Sequence, residues 1–468
     1  MKHRAILGIA LLFATASTLY AQTYKVLYSF GTTSGDPSEP YPPGMIAQSR
    51  GGYLFSTTDG GGFSKDGAAF RITTRGSLSV LHSFNGLDGN RSDSGLTLAT
   101  DGQYYGATSA GGAYGYGTIF KMTQGGTITT LYSFPAGGAD GGCPFAPPIQ
   151  SQAGDFYGTT SGCGGWADPQ GLSGSVYKIT KYGEFTLLHT ISAAEGTNPT
   201  GPLVQGTDYR FYGTAAFGGA NGGGTIFRVS SAGNFQVLYS FDGTLGSNPL
   251  AGLIQANDGN FYGVTAWGGS GNAGVVFKMT LPGYAVTVLH TFDGTNGYPY
   301  GGLVQGSDGN LYGTTSATDD DNNPGGSVFR LSLAGDYAVL HTFQPWAIDG
   351  SAPESALMQH TNGILYGMTI VGGSTGKGTF FSLDEGLKPF VTYLPTYGRA
   401  GALVQILGQG FTSDSVVSFN GTPASSPAVV YPTYIRVFVP AGATSGPITV
   451  TTPSGTLTSN KVFIVHPN

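Results

Sequence analysis

One phrase returns about every fifty residues along most of this chain, and it constrains the fold more than any other feature. Its clearest copy spans 301–343: GGLVQGSDGNLYGTTSATDDDNNPGGSVFRLSLAGDYAVLHTF. A unit of that length marks a propeller or a solenoid. Registered on the Tyr of Tyr-Gly, the copies fall at Phe55, Tyr105, Tyr157, Tyr212, Tyr262, Tyr312 and Tyr366. Gly follows in every copy except the first, where Ser56 stands. Each copy has room for four short strands, A to D. The alternation of β-branched or aromatic residues with polar ones fits half-buried strands, and no amphipathic helix is apparent.

Strand A ends near a Gln and turns at Asp101-Gly102, Asp258-Gly259, Asp308-Gly309 or Asn362-Gly363. Such dipeptides between apolar runs predict type I′ hairpins, whose two central residues both need positive φ. Strand B carries Tyr-Gly-Thr-Thr. Strand C carries Phe70, Phe120, Tyr177, Phe227, Phe277, Phe329 or Phe381. Strand D ends at Phe30, Phe84, Phe134, Ile191, Phe241, Phe292 or Phe343. The first D strand precedes the first A strand, and the last A-B-C set, ending near Leu383, has no D strand after it. The N-terminal strand is therefore expected to complete the last unit and protect its edge. A solenoid would instead need caps. The expectation is an all-β chain: a seven-bladed β-propeller over residues 22–386 closed by an N-terminal strand, then an Ig-like β-sandwich over 387–468.

Composition agrees. Gly is 80 of 468 residues, with 27 Tyr and 28 Phe, and only 10% of residues are charged. That suits a many-turned β protein with ample surface to bury. The net charge of −6 and the lack of any Lys/Arg run argue against a nucleic-acid or anionic-membrane partner. Lys2, His3 and Arg4, then the apolar stretch 5–16 and Ala21, read as a signal peptide over residues 1–21. A short anchor is the competing reading, but the run falls short of the ~20 residues a span requires. The mature chain is expected without a membrane span, in a bacterial envelope or secreted.

The phrases Asp-Gly-x-x-Tyr-Gly-Thr-Thr and Gly-Gly-x-x-x-x-Gly-Thr-Ile-Phe-Lys, over residues 24–385, resemble the GloVer tandem repeats of exported bacterial proteins. That resemblance implies no particular activity. Beyond Lys388-Pro389, the phrases Gly408-Gln409-Gly410-Phe411, Phe419-Asn420-Gly421 and Val439-Pro440-Ala441-Gly442-Ala443 resemble the IPT/TIG immunoglobulin-like family. The latter resemblance implies a spacer or adhesion unit and assigns no chemistry.

In a propeller the D–A and B–C loops share one face, and here these are the long, variable ones. Binding concentrates on such loops. Trp166, Trp267, Trp346, Phe217, Tyr298 and Tyr300 all fall there, with Phe217 and Trp267 at the same repeat position in neighbouring units. Two readings are open: a stacking platform for a carbohydrate or protein ligand, or packing at the barrel end. A Gln seven residues before the register Tyr recurs as Gln48, Gln150, Gln205, Gln255, Gln305 and Gln359, with Leu98 the exception. Repetition in nearly every unit points to an amide that bonds the neighbouring unit's backbone rather than to a ligand-lined channel. His82, His189, His290 and His341 share one strand-D position and read as scaffold; His360 alone breaks the pattern.

No catalytic set emerges, and no nucleophile elbow, zinc motif or phosphate loop is present. A polysaccharide lyase on the loop face would want converging His, Tyr and Arg, and Arg91 is the one obvious loop arginine. A purely structural envelope component is the third possibility. No cofactor is expected, save that Asp319, Asp320 and Asp321 offer oxygens suited to Ca²⁺, in a spacing unlike an EF-hand. Cys143 enters the third strand A and Cys163 follows the third strand B. Antiparallel neighbours bring those two ends together, so a Cys143–Cys163 disulfide is expected, pinning the loop that carries Trp166.

Overall fold

A computed structural model describes residues 22–135, 140–163, 174–316, 325–344 and 348–466. Among these residues there are strands and turns and no helix. Seven four-stranded antiparallel sheets come first, each propeller-like in its meander. The fifth is typical: Ile254–Gln255, Phe261–Thr265, Val275–Met279 and Val286–Thr291. The seventh takes its fourth strand from the other end of the chain: Thr23–Ser29 pairs with Thr379–Asp384, Val26 opposite Phe381.

The Gly of Tyr-Gly is set by packing. A Cβ at Gly263 would stand 2.6 Å from Phe277 Cζ and 2.8 Å from Leu253 Cδ2. The strand-C Phe and the leading Leu of strand A thus fill the volume a side chain would take. Gly213, Gly313 and Gly367 meet the same pair of neighbours. The A–B turns differ from the type I′ expectation. Gly259 lies at φ 82 while Asp258 stays out of the left-handed region. Gly259 N–H donates to Ala256 O and Ala256 N–H to Asn260 O, a four-residue turn followed by a left-handed residue. Asp258 Oδ1 accepts from Asn260 N–H, which holds the Asp where it is. One left-handed residue suffices, so Tyr209 (φ 67) can stand in that position in the fourth sheet.

Neighbouring sheets are joined by the recurrent Gln. Each Gln Oε1 accepts a backbone N–H of the preceding sheet: Thr100 to Gln150, Gln152 to Gln205, Thr207 to Gln255, Asn257 to Gln305 and Ser307 to Gln359, at 2.8–3.0 Å. Thr361 N–H donates to Gln48, so the seventh sheet is joined to the first. Where Leu98 replaces Gln, Arg50 Nη2 bridges the first and second sheets through Thr100 O at 2.9 Å. The Gln residues are therefore structural amides. Stacked rings add a second tie between sheets, Tyr105 on Phe156 and Tyr157 on Phe211, with centroids 3.7 and 3.9 Å apart.

The last 75 or so residues (roughly) form a four-stranded and a five-stranded sheet around one core that includes Val404, Phe419, Ile435 and Phe463. This module is docked, not tethered. It meets the A–B turn of every one of the seven sheets. Thr433 donates to Arg50 O, Gln405 to Thr100 O and Tyr397 to Gln152 O. His466 meets the Tyr209 hydroxyl and Asn257 donates to Asn460 O. Ser307 donates to Lys388 O, and Thr361 to Gly408 O. The turn face is thereby covered, and the C-terminal module makes no contact of this kind on the loop face among the described residues.

Candidate functional site

A cavity of about 340 Å³ lies among the first, fourth, fifth, sixth and seventh sheets. Its wall is the leading apolar residue of strand A: Ile46, Leu203, Leu253, Leu303 and Leu357. These side chains keep 4–8% of their surface exposed, against 0% for the strand-C aromatics behind them. The space comes from small residues just ahead of the Leu, namely Ala251, Gly302 and Ala356. Gly201 and Gly252 pass so close that a Cβ on Gly201 would stand 2.2 Å from Gly252 N. The loop-face end is framed by Pro42, Pro43 and Tyr300, and Gln359 lies toward the turn end.

Beside that mouth sits an aromatic group. Phe217, Trp267 and Tyr300, all half-buried, pack on the buried cluster Ala216–Leu250–Ala266. Trp267 and Tyr300 meet edge to face, centroids 5.9 Å apart at 87°. Trp267 is held by paired backbone bonds to Ser247, as Phe217 is to Thr197. Tyr298 is separate: its backbone pairs with Ser316 and its ring packs into the core between the fifth and sixth sheets. Trp166 and Trp346 lie outside the described residues, as do Asp319, Asp320 and Asp321. Among the described residues no group of three or more His, Cys, Asp and Glu is placed to hold a metal. Cys143 and Cys163 form a disulfide, with Cα atoms 5.0 Å apart.

Sequence reasoning missed an acidic group on the loop face. Burial pushes the Asp93 carboxyl well above its ordinary range, and the adjoining Asp59 carboxyl adds to that. Asp59 is itself raised by burial, against the opposing pull of Asp93's hydrogen bond and Arg91. Ser109 Oγ donates to Asp93 at 3.0 Å. Burial also raises the nearby Tyr41 phenol, helped by the charges of Glu39, Asp59, Glu354 and Asp93. Lys377 pairs with Glu39 at 2.5 Å, and Arg91 stands 3.9 Å from Asp59. Four carboxyls thus face two cations here.

The histidines are scaffold. His82 and His189 meet Asp88 and Glu195 at 2.7 and 3.1 Å, and His341 meets Asp349 at 3.2 Å. His290 stacks on Tyr337 and His341 on Tyr24 of the N-terminal strand, both at 3.8 Å. Burial lowers His290, His341 and His360, the last wedged between Gly52 O and Asn362 N–H.

The profile of the Gloeobacter/Verrucomicrobia repeat matches residues 13–171 and 164–381, and that of the IPT/TIG domain matches residues 390–465. The chain belongs to the Gloeobacter/Verrucomicrobia repeat family. No curated protein matches this repeat-family chain. Among solved structures, a fungal alcohol oxidase of the AA5 family in complex with copper is similar at 13% identity and a TM-score of 0.47, over 92% of this chain and 98% of that one. A putative 6-phosphogluconolactonase from Bacteroides uniformis is similar at 16% identity and 0.44, over 67% and 88%. A luciferin-regenerating enzyme is similar at 12% and 0.40, over 76% and 94%. Within this family member, the wall of the cavity had a signal in the repeat itself. Leu stands two residues before Gln205, Gln255, Gln305 and Gln359, and Ile46 before Gln48, while the small residues ahead of it vary from unit to unit.

Proposed function

We propose that this chain is an exported binding and scaffold protein. In this reading the seven sheets are the blades of a closed propeller, completed by the N-terminal strand. The IPT/TIG module caps the turn face, and a carbohydrate or protein ligand is taken on the loop face. The observation that carries the reading is the grouping of Phe217, Trp267 and Tyr300 at the mouth of an apolar cavity, on the one face the C-terminal module leaves open. Aromatic faces held at fixed angles stack on C–H-rich sugar surfaces at little entropic cost. A disulfide fits an oxidising, extracytoplasmic compartment.

A lyase acting on acidic polysaccharide is the weaker reading, because the carboxyls around Tyr41 outnumber the cations that would neutralise a uronate. A glycan array probed with wild type and Trp267→Ala tests both. Binding by wild type that is lost in the variant supports the platform. Absorbing unsaturated ends released from polymer would support the lyase, and silence in both assays would leave a structural role.

A further inference from the structure

The cavity is more apolar than a sugar platform requires. Resting on the loop-face reading above, we infer that the ligand is a single-chain amphiphile with an uncharged head. Its alkyl tail enters the cavity end-on from the loop face, and its head lies against Trp267 and Tyr300. Three features lead here.

The wall is built of aliphatic side chains from five sheets, so water inside finds few partners and is readily displaced. The volume of about 340 Å³ lies at the lower end of small-ligand sites. At roughly 30 Å³ per water-sized group it holds about ten such groups, room for an alkyl chain of that order. The entrance excludes an anionic head. Glu39, Asp59 and Glu354, set against Lys377 and Arg91, leave an excess of acidic charge near Tyr41, which directly precedes Pro42 at the cavity mouth. A carboxylate or phosphate head would meet that field, whereas a hydroxylated neutral head would not. The other end of the cavity points toward the C-terminal module, which engages the turn of every sheet.

Gly302 gives a clean way to fill the space. A Cβ there would lie 3.7 Å from Ala356 Cβ and 3.9 Å from Ala251 Cβ, ordinary contacts, and its φ is outside the left-handed region. The test is titration calorimetry on the full chain with glucose, hexyl glucoside and octyl glucoside, each below its micellar concentration. Burial of each methylene should tighten binding about fourfold, so octyl should exceed hexyl by about fifteenfold. Gly302→Leu and, separately, Ala356→Leu should weaken octyl glucoside at least tenfold while keeping the wild-type melting temperature.

Equal affinity for hexyl and octyl glucoside overturns the inference. So does wild-type binding by a folded Gly302→Leu or Ala356→Leu. If alkyl chains fail but the array shows Trp267-dependent glycan binding, the inference falls and the loop-face reading stands. If neither binds, both fall. Flotation with phosphatidylcholine vesicles bearing a neutral glycolipid tells the sources apart. Co-flotation assigns the tail to membrane lipid, and binding of free octyl glucoside without flotation assigns it to a soluble amphiphile.

Discussion

Asp93→Asn should stabilise the protein at neutral pH, and the gain should grow with pH. Asp93 is fully buried against Asp59, and burial raises its carboxyl well above the ordinary value near 3.8. A group raised in the folded state contributes stability that is complete below its unfolded pKa and is lost as pH rises through the folded one. The folded chain must therefore hold a proton that the unfolded chain releases above about pH 4. The slope from one proton is about 1.36 kcal/mol per pH unit. With an unfolding entropy of ~2.1 cal/mol/K per residue over the roughly 360 residues between Thr23 and Asp384, that is about 2 °C of melting temperature per pH unit.

Asn keeps the geometry. Its oxygen still accepts from Ser109 Oγ, and its amide donates to Asp59 without a proton to lose. Glu39, Arg91 and the Asp59 charge stay in place, so they enter both proteins alike. The assay is calorimetric melting of wild type and Asp93→Asn from pH 3.5 to 8. The difference should be near zero at the acid end, widen by about 2 °C per pH unit, and flatten once Asp93 ionises in the folded protein. A difference that is flat with pH, or an Asp93→Asn protein that melts lower at pH 7, would refute the assignment of the proton to this pair.

Gly263→Ala forces a Cβ within 2.6 Å of Phe277, a ring that cannot retreat, and overpacking of this kind costs about 1–3 kcal/mol; an unchanged melting temperature would show that the neighbouring Leu253 gives way. Gln255→Ala removes the acceptor of the exposed Thr207 N–H, a net loss of about 0.5–1.5 kcal/mol, and amide exchange at Thr207 should quicken while that at Thr361 does not. Replacing Cys143 and Cys163 together by Ser frees a 20-residue loop worth up to ~3 kcal/mol in chain entropy, and proteolysis between the two positions should quicken; intact mass showing two free thiols in oxidised wild type would dismiss the bridge.

The parts of this molecule that repetition specifies were open to reading, and the parts that depend on which units differ were not. Each Gln sits at one repeat position because the same amide meets the same backbone N–H in the preceding sheet, so its scaffold role follows from periodicity alone. The pairing of Thr23–Ser29 with the last strand C follows equally from counting D strands. The turn type did not follow. Asp-Gly is compatible with two hairpin geometries, and the choice is made by Asp258 accepting from Asn260 N–H, an interaction the dipeptide does not announce.

The cavity lies further from view. It arises where Ala251, Gly302 and Ala356 put little or no side chain between sheets, and which sheets approach one another there is not written in a linear repeat. The Asp59–Asp93 pair is harder still, since the two carboxyls lie in loops of adjacent units and neither belongs to the repeated phrase. Docking of the C-terminal module likewise uses one residue from each of seven turns, chosen for exposure on a common face. That geometry makes the module more than a tethered neighbour, since it covers the turn side of all seven sheets.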